Sequence, residues 1–215
     1  MTHKSVLIFD LDGTLIDSAP SILSSLAMVL EEAGVTARVP LSSSLIGPPL
    51  QETLSALTGI EDPHVIRTYV ESFKRFYDGG GYRQTQVYPG IDELLTELHA
   101  SGFALHLATN KRHAPTRLIL EHFGWSSLFR SVYALDMYAP RLPDKGALLK
   151  RLLEERALSA ADALYIGDKT EDGQAAKQNG LEFFGVKWGY GDFDVGGKWP
   201  VLDSPASLLK RLGND

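Results

Sequence analysis

The chain has 215 residues, of which 22% are charged and 44% hydrophobic, with no cysteine and a formal net charge of −6. That length allows one good core and a smaller appended unit, and the composition is globular rather than fibrous or disordered. The acidic balance gives no case for a nucleic-acid or anionic-membrane partner, and the missing cysteines exclude disulfides and thiolate metal sites.

From Met1-Thr2-His3-Lys4 the chain passes straight into an apolar run, with no signal peptide and no stretch of membrane-spanning length, so a cytoplasmic location is expected. Val6-Leu7-Ile8-Phe9 is too short for a helix and too apolar for a half-exposed strand; it reads as a strand buried on both faces. Asp10-Leu11-Asp12-Gly13-Thr14 follows. Two side chains two apart on an extended segment point the same way, Gly13 lets the chain turn, and Thr14 offers a hydroxyl and an amide. Asp and Gly are common in plain turns. At the C-terminal end of a buried parallel strand, where open sheets bind ligands, the two acids become a candidate nucleophile and metal site.

Between roughly Ile16 and Gln86 the periodicity predicts no buried strand but three helices. The first carries Ile22, Leu26, Val29, Leu30 and Ala33, with Pro20 in its first turn and Gly34 at its end. A short second carries Leu50, Leu54 and Leu57. The third, marked by Ile66, Val70, Phe73 and Tyr77, stops at Gly79-Gly80-Gly81, a hinge or flexible tip without the spacing of a phosphate loop. From Tyr88 onward strands and helices alternate: a helix through Leu94 and Leu98, a strand at Phe103–Ala108, a helix near Leu118, a strand near Val132, a helix from Lys145 and a strand at Ala163–Gly167. A last strand at Phe183–Val186 and a helix with Pro205 in its first turn complete a parallel sheet covered on both faces.

The strand at Ala163 ends in Asp168-Lys169-Thr170-Glu171-Asp172, a second set of carboxylates just past a strand terminus. Asp10, Asp168 and Asp172 are positioned to converge, and hard oxygen ligands of this kind suit magnesium. Thr109, Asn110 and Lys145 bring hydroxyl, amide and ammonium groups for phosphate oxygens to the same end of the sheet. Each also has a plainer reading: Thr109 and Asn110 as helix caps, Lys145 as a solvated surface group, Asp168 and Asp172 as N-cap and first-turn acid. The histidines show no zinc spacing. Trp188 and Tyr190 read as loop anchors, and Phe73, Phe76 and Tyr77 as helix core.

In chain order these residues resemble the four motifs of the haloacid dehalogenase superfamily: Asp10 to Thr14, Thr109 with Asn110, Lys145, and Gly167-Asp168 with Asp172. Ile46-Gly47-Pro48-Pro49-Leu50, Tyr88-Pro89-Gly90, Gly185 to Gly191 and Asp203-Ser204-Pro205 look like its phosphoglycolate phosphatase branch. The resemblance implies an α/β fold: a doubly wound, Rossmann-like parallel-sheet core over residues 1–16 and 87–215, with a helical cap inserted at 17–86. It also implies a magnesium-dependent phosphatase acting on a small phosphorylated metabolite, such as a phosphoglycolate-like acid, a sugar phosphate or a nucleotide. Asp10 would be the nucleophile forming an aspartyl-phosphate and Asp12 the acid–base; Asp10, Asp12, Asp168 and Asp172 would form the metal site, and Thr109, Asn110 and Lys145 would bind the phosphate. A phosphoglucomutase-type transfer, or a non-catalytic binding or regulatory protein on the same fold, are the alternatives. The branch usually carries Lys-Pro in its third motif, whereas this chain reads Arg141-Leu142-Pro143-Asp144-Lys145, so Arg141 competes with Lys145 as phosphate cation. Lys145 is favoured because it opens a helix. Nothing in the pattern sets an oligomeric state.

Overall fold

A computed structural model describes residues 4–191, 193 and 197–213; Met1, Thr2 and His3, from which the N-terminus was read, lie outside the described residues. The chain opens with β1 (Val6–Phe9) and β2 (Ile16–Asp17), then α1 (Ala19–Ala33), α2 (Leu50–Thr58), α3 (Pro63–Asp78) and β3 (Gln86–Val87). It continues through α4 (Ile91–Ala100), β4 (Ala104–Thr109), α5 (His113–His122), β5 (Phe129–Ala134), α6 (Lys145–Glu155) and β6 (Ala163–Gly167). The last elements are α7 (Thr170–Gln178), β7 (Glu182–Val186), β8 (Val201–Leu202) and α8 (Pro205–Gly213).

Six strands form one parallel sheet in the order β5-β4-β1-β6-β7-β8. The chain adds β4 and β5 on one side of β1 and then crosses to add β6, β7 and β8 on the other. That reversal puts the topological switch at β1, where a crevice opens beyond the strand ends. Alternate side chains of β1 serve opposite faces. Leu7 and Phe9 join Leu95, Leu98 and Ile119 in one core, and Val6 and Ile8 join Leu148, Leu149 and Tyr165 in the other. No helix among the described residues is long and apolar enough to cross a membrane.

The helical termini follow the local chemistry. Pro20 lies in the first turn of α1, and Gly34 ends it in the left-handed conformation with its N–H directed to Glu31 and Leu30 carbonyls. The Asp62 carboxylate caps α3 by accepting from His64 N. Lys169, not Asp168, occupies the N-cap position of α7, and the first-turn Asp172 accepts from the Lys169 N–H. Gly79-Gly80-Gly81 leads from α3 into a short 3₁₀ segment, Gly81–Gln84, whose Tyr82 is buried and which contacts α1 and α3.

Three short strands escape the sequence pattern. β2 and β3 pair antiparallel, Ile16 opposite Val87 and Asp17 opposite Gln86, so the chain leaves for the inserted helices and returns side by side. β8 forms the sheet edge beyond β7, which is therefore not the last strand. Each of β2, β3 and β8 has two residues, too short to display a period of two.

Tyr190 secures this crossing from across the chain. Its hydroxyl donates to Asp17 Oδ1 at 2.7 Å and accepts from Ser18 N at 2.7 Å and Ala19 N at 2.9 Å, at the start of α1. Trp188 Nε1 donates to the Thr14 carbonyl at 2.9 Å. Tyr190→Phe, which strands the Ser18 N–H and leaves Ala19 N only its 3.1 Å bond to Asp17 Oδ1, is expected to cost about 1–3 kcal/mol, read as a lower midpoint in urea denaturation with an unchanged slope.

Candidate active site

Three strand ends meet at the crevice. Asp10 follows β1, Thr109 closes β4, and Asp168 follows β6, with Asp172 one helical turn on in α7 and Lys145 at the start of α6. All five are between 0 and 5% exposed. Carboxylate oxygens of Asp10, Asp168 and Asp172 lie within 4.8 Å of one another. Lys145 Nζ stands between them, 3.0 Å from Asp10 Oδ1 and 2.6 Å from Asp172 Oδ1.

The three acids are not equivalent. Asp172 is fully committed: Oδ1 accepts from Lys145 and, at 3.3 Å, from the Tyr165 hydroxyl, while Oδ2 accepts from Lys169 N at 2.9 Å. Asp168 Oδ2 accepts from Tyr190 N at 2.8 Å, but its Oδ1 is buried without a hydrogen-bond partner, as is Asp10 Oδ1, which meets Lys145 off the hydrogen-bonding direction. Orphaned buried oxygens in a native site call for a missing partner. Three carboxylates against one ammonium leave two negative charges, and the free oxygens are hard donors, so the residues fit a divalent cation such as magnesium.

Electrostatics agree with that charge count. Burial, opposed by Lys145 and reinforced by Asp172, Asp168 and Asp12, pushes the Asp10 carboxyl up to about 7. Burial and Asp172 raise Asp168 to about 6, against the hydrogen bond from Tyr190. For Lys145 burial works against the charge, yet Asp10 and Asp172 outweigh it and hold the ammonium well above its usual range. Close packing leaves Asp168 no freedom: a Cβ at Gly13, where φ is +83°, would strike Asp168 Oδ2, and one at Gly191 would strike the Asp168 carbonyl.

Asp12 stands apart from the cluster. Its carboxylate is paired with Lys111 Nζ at 3.1 Å, and both residues line a cavity of about 330 Å³ over Asp10. Thr14 spends its amide on the turn, donating to the Leu11 carbonyl at 3.2 Å, while its buried hydroxyl has no hydrogen-bond partner. Thr109 Oγ1 accepts from Lys111 N at 3.2 Å, so it closes the turn after β4 and does not cap α5, whose N-cap position is Arg112. Asn110 borders the cavity, its Oδ1 buried without a partner. Arg141 lines the cavity from an exposed position and makes none of the contacts to the acids that Lys145 makes.

Sequence reasoning missed Lys111, which bridges the two units by pairing with Asp12 and lying 4.7 Å above the Tyr77 ring of α3. The signal was its place directly after Thr109 and Asn110. Arg112, next in line, makes a two-pronged pair with Asp78 at 2.9 and 2.7 Å, and Lys169 donates to the Ile46 carbonyl.

A sequence model of haloacid dehalogenase-like hydrolases matches residues 7–186. The chain belongs to that family. This haloacid dehalogenase-like hydrolase is 34% identical over 196 residues to a phosphoglycolate phosphatase of Nitrosospira multiformis, covering 88% of the chain and 85% of the relative. It is also 33% identical over 192 residues to the tyrosine-protein kinase PtkA of Mycobacterium tuberculosis, covering 88% of the chain but only 64% of that relative's length. The crystal structure of a predicted phosphatase from Clostridium acetobutylicum superposes with a TM-score of 0.85 at 28% identity, covering 99% of each chain. The family's α/β core with an inserted helical cap is thus the fold seen here.

The acid cluster has a measurable consequence. Because the folded state raises Asp10 and Asp168 above their ordinary 3.8, it holds protons that the unfolded chain has released; with a chelator present, their contribution to stability falls as pH rises from about 4 to about 7 and then levels off. Magnesium near pH 7.5 is expected to raise the melting temperature, since a ligand at 100 times its Kd adds about 2.7 kcal/mol. Calorimetry of the wild type and Asp168→Asn, with and without the ion, checks this: the shift should largely vanish in the variant, and its absence in the wild type would refute the cation site.

Proposed function

We propose that this hydrolase is a magnesium-dependent phosphatase of small phosphomonoesters that works through an aspartyl-phosphate on Asp10. The observation that carries the reading is Asp10 Oδ1 at the end of the central strand, buried without a hydrogen bond, 3.0 Å from Lys145 Nζ and beneath the cavity. An Asp10 oxygen attacks phosphorus as the ester P–O bond breaks, and Asp12 gives its proton to the departing alkoxide. Water then attacks the acyl phosphate, Asp12 takes the water's proton, and inorganic phosphate leaves with Asp10 restored. Asp10, Asp168 and the Asp12 main-chain carbonyl would hold magnesium, which when bound would neutralise charge on the phosphate oxygens. Thr109, Asn110 and Lys145 position those oxygens by hydrogen bonds and charge, and Asp172 acts at one remove by holding Lys145. We assign residues 17–86 to a cap that excludes water from the reacting centre, with 1–16 and 87–215 as the catalytic core.

The likeness to PtkA favours one competing reading, in which the phosphoryl group passes to an acceptor hydroxyl in place of water. The products separate them: free phosphate in one case, a phosphorylated acceptor in the other.

With magnesium and an aryl phosphate, phosphate release is expected from the wild type and none above background from Asp10→Asn. Asp12→Asn should lose about 10²–10⁴ in turnover as the proton transfers fail. Circular dichroism should show both variants folded, and parent-rate turnover by Asp10→Asn would rule out the covalent mechanism. Side by side, Lys145→Ala should lose more kcat/KM than Arg141→Ala; the reverse order would make Arg141 the phosphate cation.

A further inference from the structure

The cavity over Asp10 has two unlike halves. Its floor is the polar constellation at the strand ends; its roof is built by Ile22 and Leu26 of α1, Leu50 of α2, and Val70, Phe73 and Tyr77 of α3. The Phe73 and Tyr77 rings stack on each other with centroids 5.4 Å apart and planes 10° from parallel, and Lys111 Nζ lies 4.7 Å from the Tyr77 ring centroid. The cations along the roof and rim are already engaged. Lys74 holds Glu71 at 2.6 Å, Lys111 holds Asp12, Arg112 holds Asp78, and Lys169 donates to the Ile46 carbonyl. Among the described cavity-lining cations, only Arg141 makes no ion pair or hydrogen bond, and it belongs to the core segment ahead of α6 rather than to the roof.

Resting on the phosphatase reading above, we propose that this chain selects phosphomonoesters whose leaving alcohol is apolar and ring-sized, and discriminates against those whose leaving group carries a second negative charge. A carboxylate lodged under Ile22, Leu26 and Phe73 would shed its water without gaining a cation, because the neighbouring ammonium and guanidinium groups are spent on Asp12, Asp78 and Glu71. A ring in the same place trades hydration for contact with the apolar roof side chains, Phe73 among them. Space permits it: about 150 Å³ of apolar cavity suffices for benzene, and this one offers about 330 Å³ for ring and phosphoryl group together.

The test compares benzyl phosphate, ethyl phosphate and 2-phosphoglycolate with the intact chain and saturating magnesium; all three are alkyl esters, so a phenol's superior leaving ability does not enter. Benzyl phosphate should exceed ethyl phosphate in kcat/KM by about tenfold or more, the range an apolar pocket delivers for added hydrocarbon, and 2-phosphoglycolate should fall below ethyl phosphate. Leu50→Gln and Ile22→Gln, at half-buried roof positions that tolerate polarity, should each lower the benzyl-to-ethyl ratio by about fivefold. Turnover in which 2-phosphoglycolate equals or beats benzyl phosphate overturns the inference and leaves the phosphatase reading standing. Hydrolysis of none of the three counts against that reading instead, and the pocket is then judged by titration calorimetry with benzylphosphonate and ethylphosphonate: about tenfold tighter binding of the benzyl compound supports the apolar subsite, and equal affinity overturns it.

Discussion

Lys145 is held between the buried carboxylates of Asp10 and Asp172, and much of the remaining architecture answers to that arrangement. Like charges 4.8 Å apart repel by roughly 3–4 kcal/mol at an effective dielectric of about 20, and a single ammonium offsets only part of the repulsion among three acids. The fold meets the deficit unevenly. It satisfies Asp172 completely through Lys145, Tyr165 and the Lys169 N–H, which locks the lysine, and it leaves Asp10 Oδ1 and Asp168 Oδ1 without a hydrogen bond. The site is therefore under-neutralised by construction, a charge deficit that a divalent cation would offset.

The same economy governs the contact between core and cap. Each of the two loops that follow β4 and β6 carries a candidate site residue and, within three positions of it, a cation that reaches upward: Thr109 with Lys111 and Arg112, Asp168 with Lys169. Tyr190 works from the opposite side, its N–H on Asp168 and its hydroxyl on the start of α1. A displacement of the cap would thus be felt at Asp168 through one rigid aromatic side chain and at Asp12 through Lys111. Cations spent on fastening the cap are not free to recognise a ligand, which leaves the roof chemically plain.

Much of this was legible in the order of residues. Val6–Phe9 announces a doubly buried strand because every residue is apolar, and Asp10 and Asp168 announce a site because each directly follows such a run. Helices with one apolar face, ended by residues such as Gly34, disclose their limits through local chemistry alone. Two-residue strands do not, since β2, β3 and β8 exist only through pairing with segments far away in the chain. Asp12 and Lys111 likewise look unrelated in sequence, and their pairing depends on how β1 and β4 stack in register.

By itself, then, the sequence determined the strand and helix periodicity, the turn glycines and the acids placed at strand ends, because these are set by steric rules and burial acting over a few neighbouring residues. Only the tertiary structure decided that Asp172 is saturated while Asp10 and Asp168 are not, that Lys111 belongs to Asp12, and that Tyr190 ties Asp168 to the cap. Those outcomes depend on ångström-scale distances between side chains up to about a hundred and seventy residues apart. No local preference encodes such distances; they follow from packing the whole chain around one crevice.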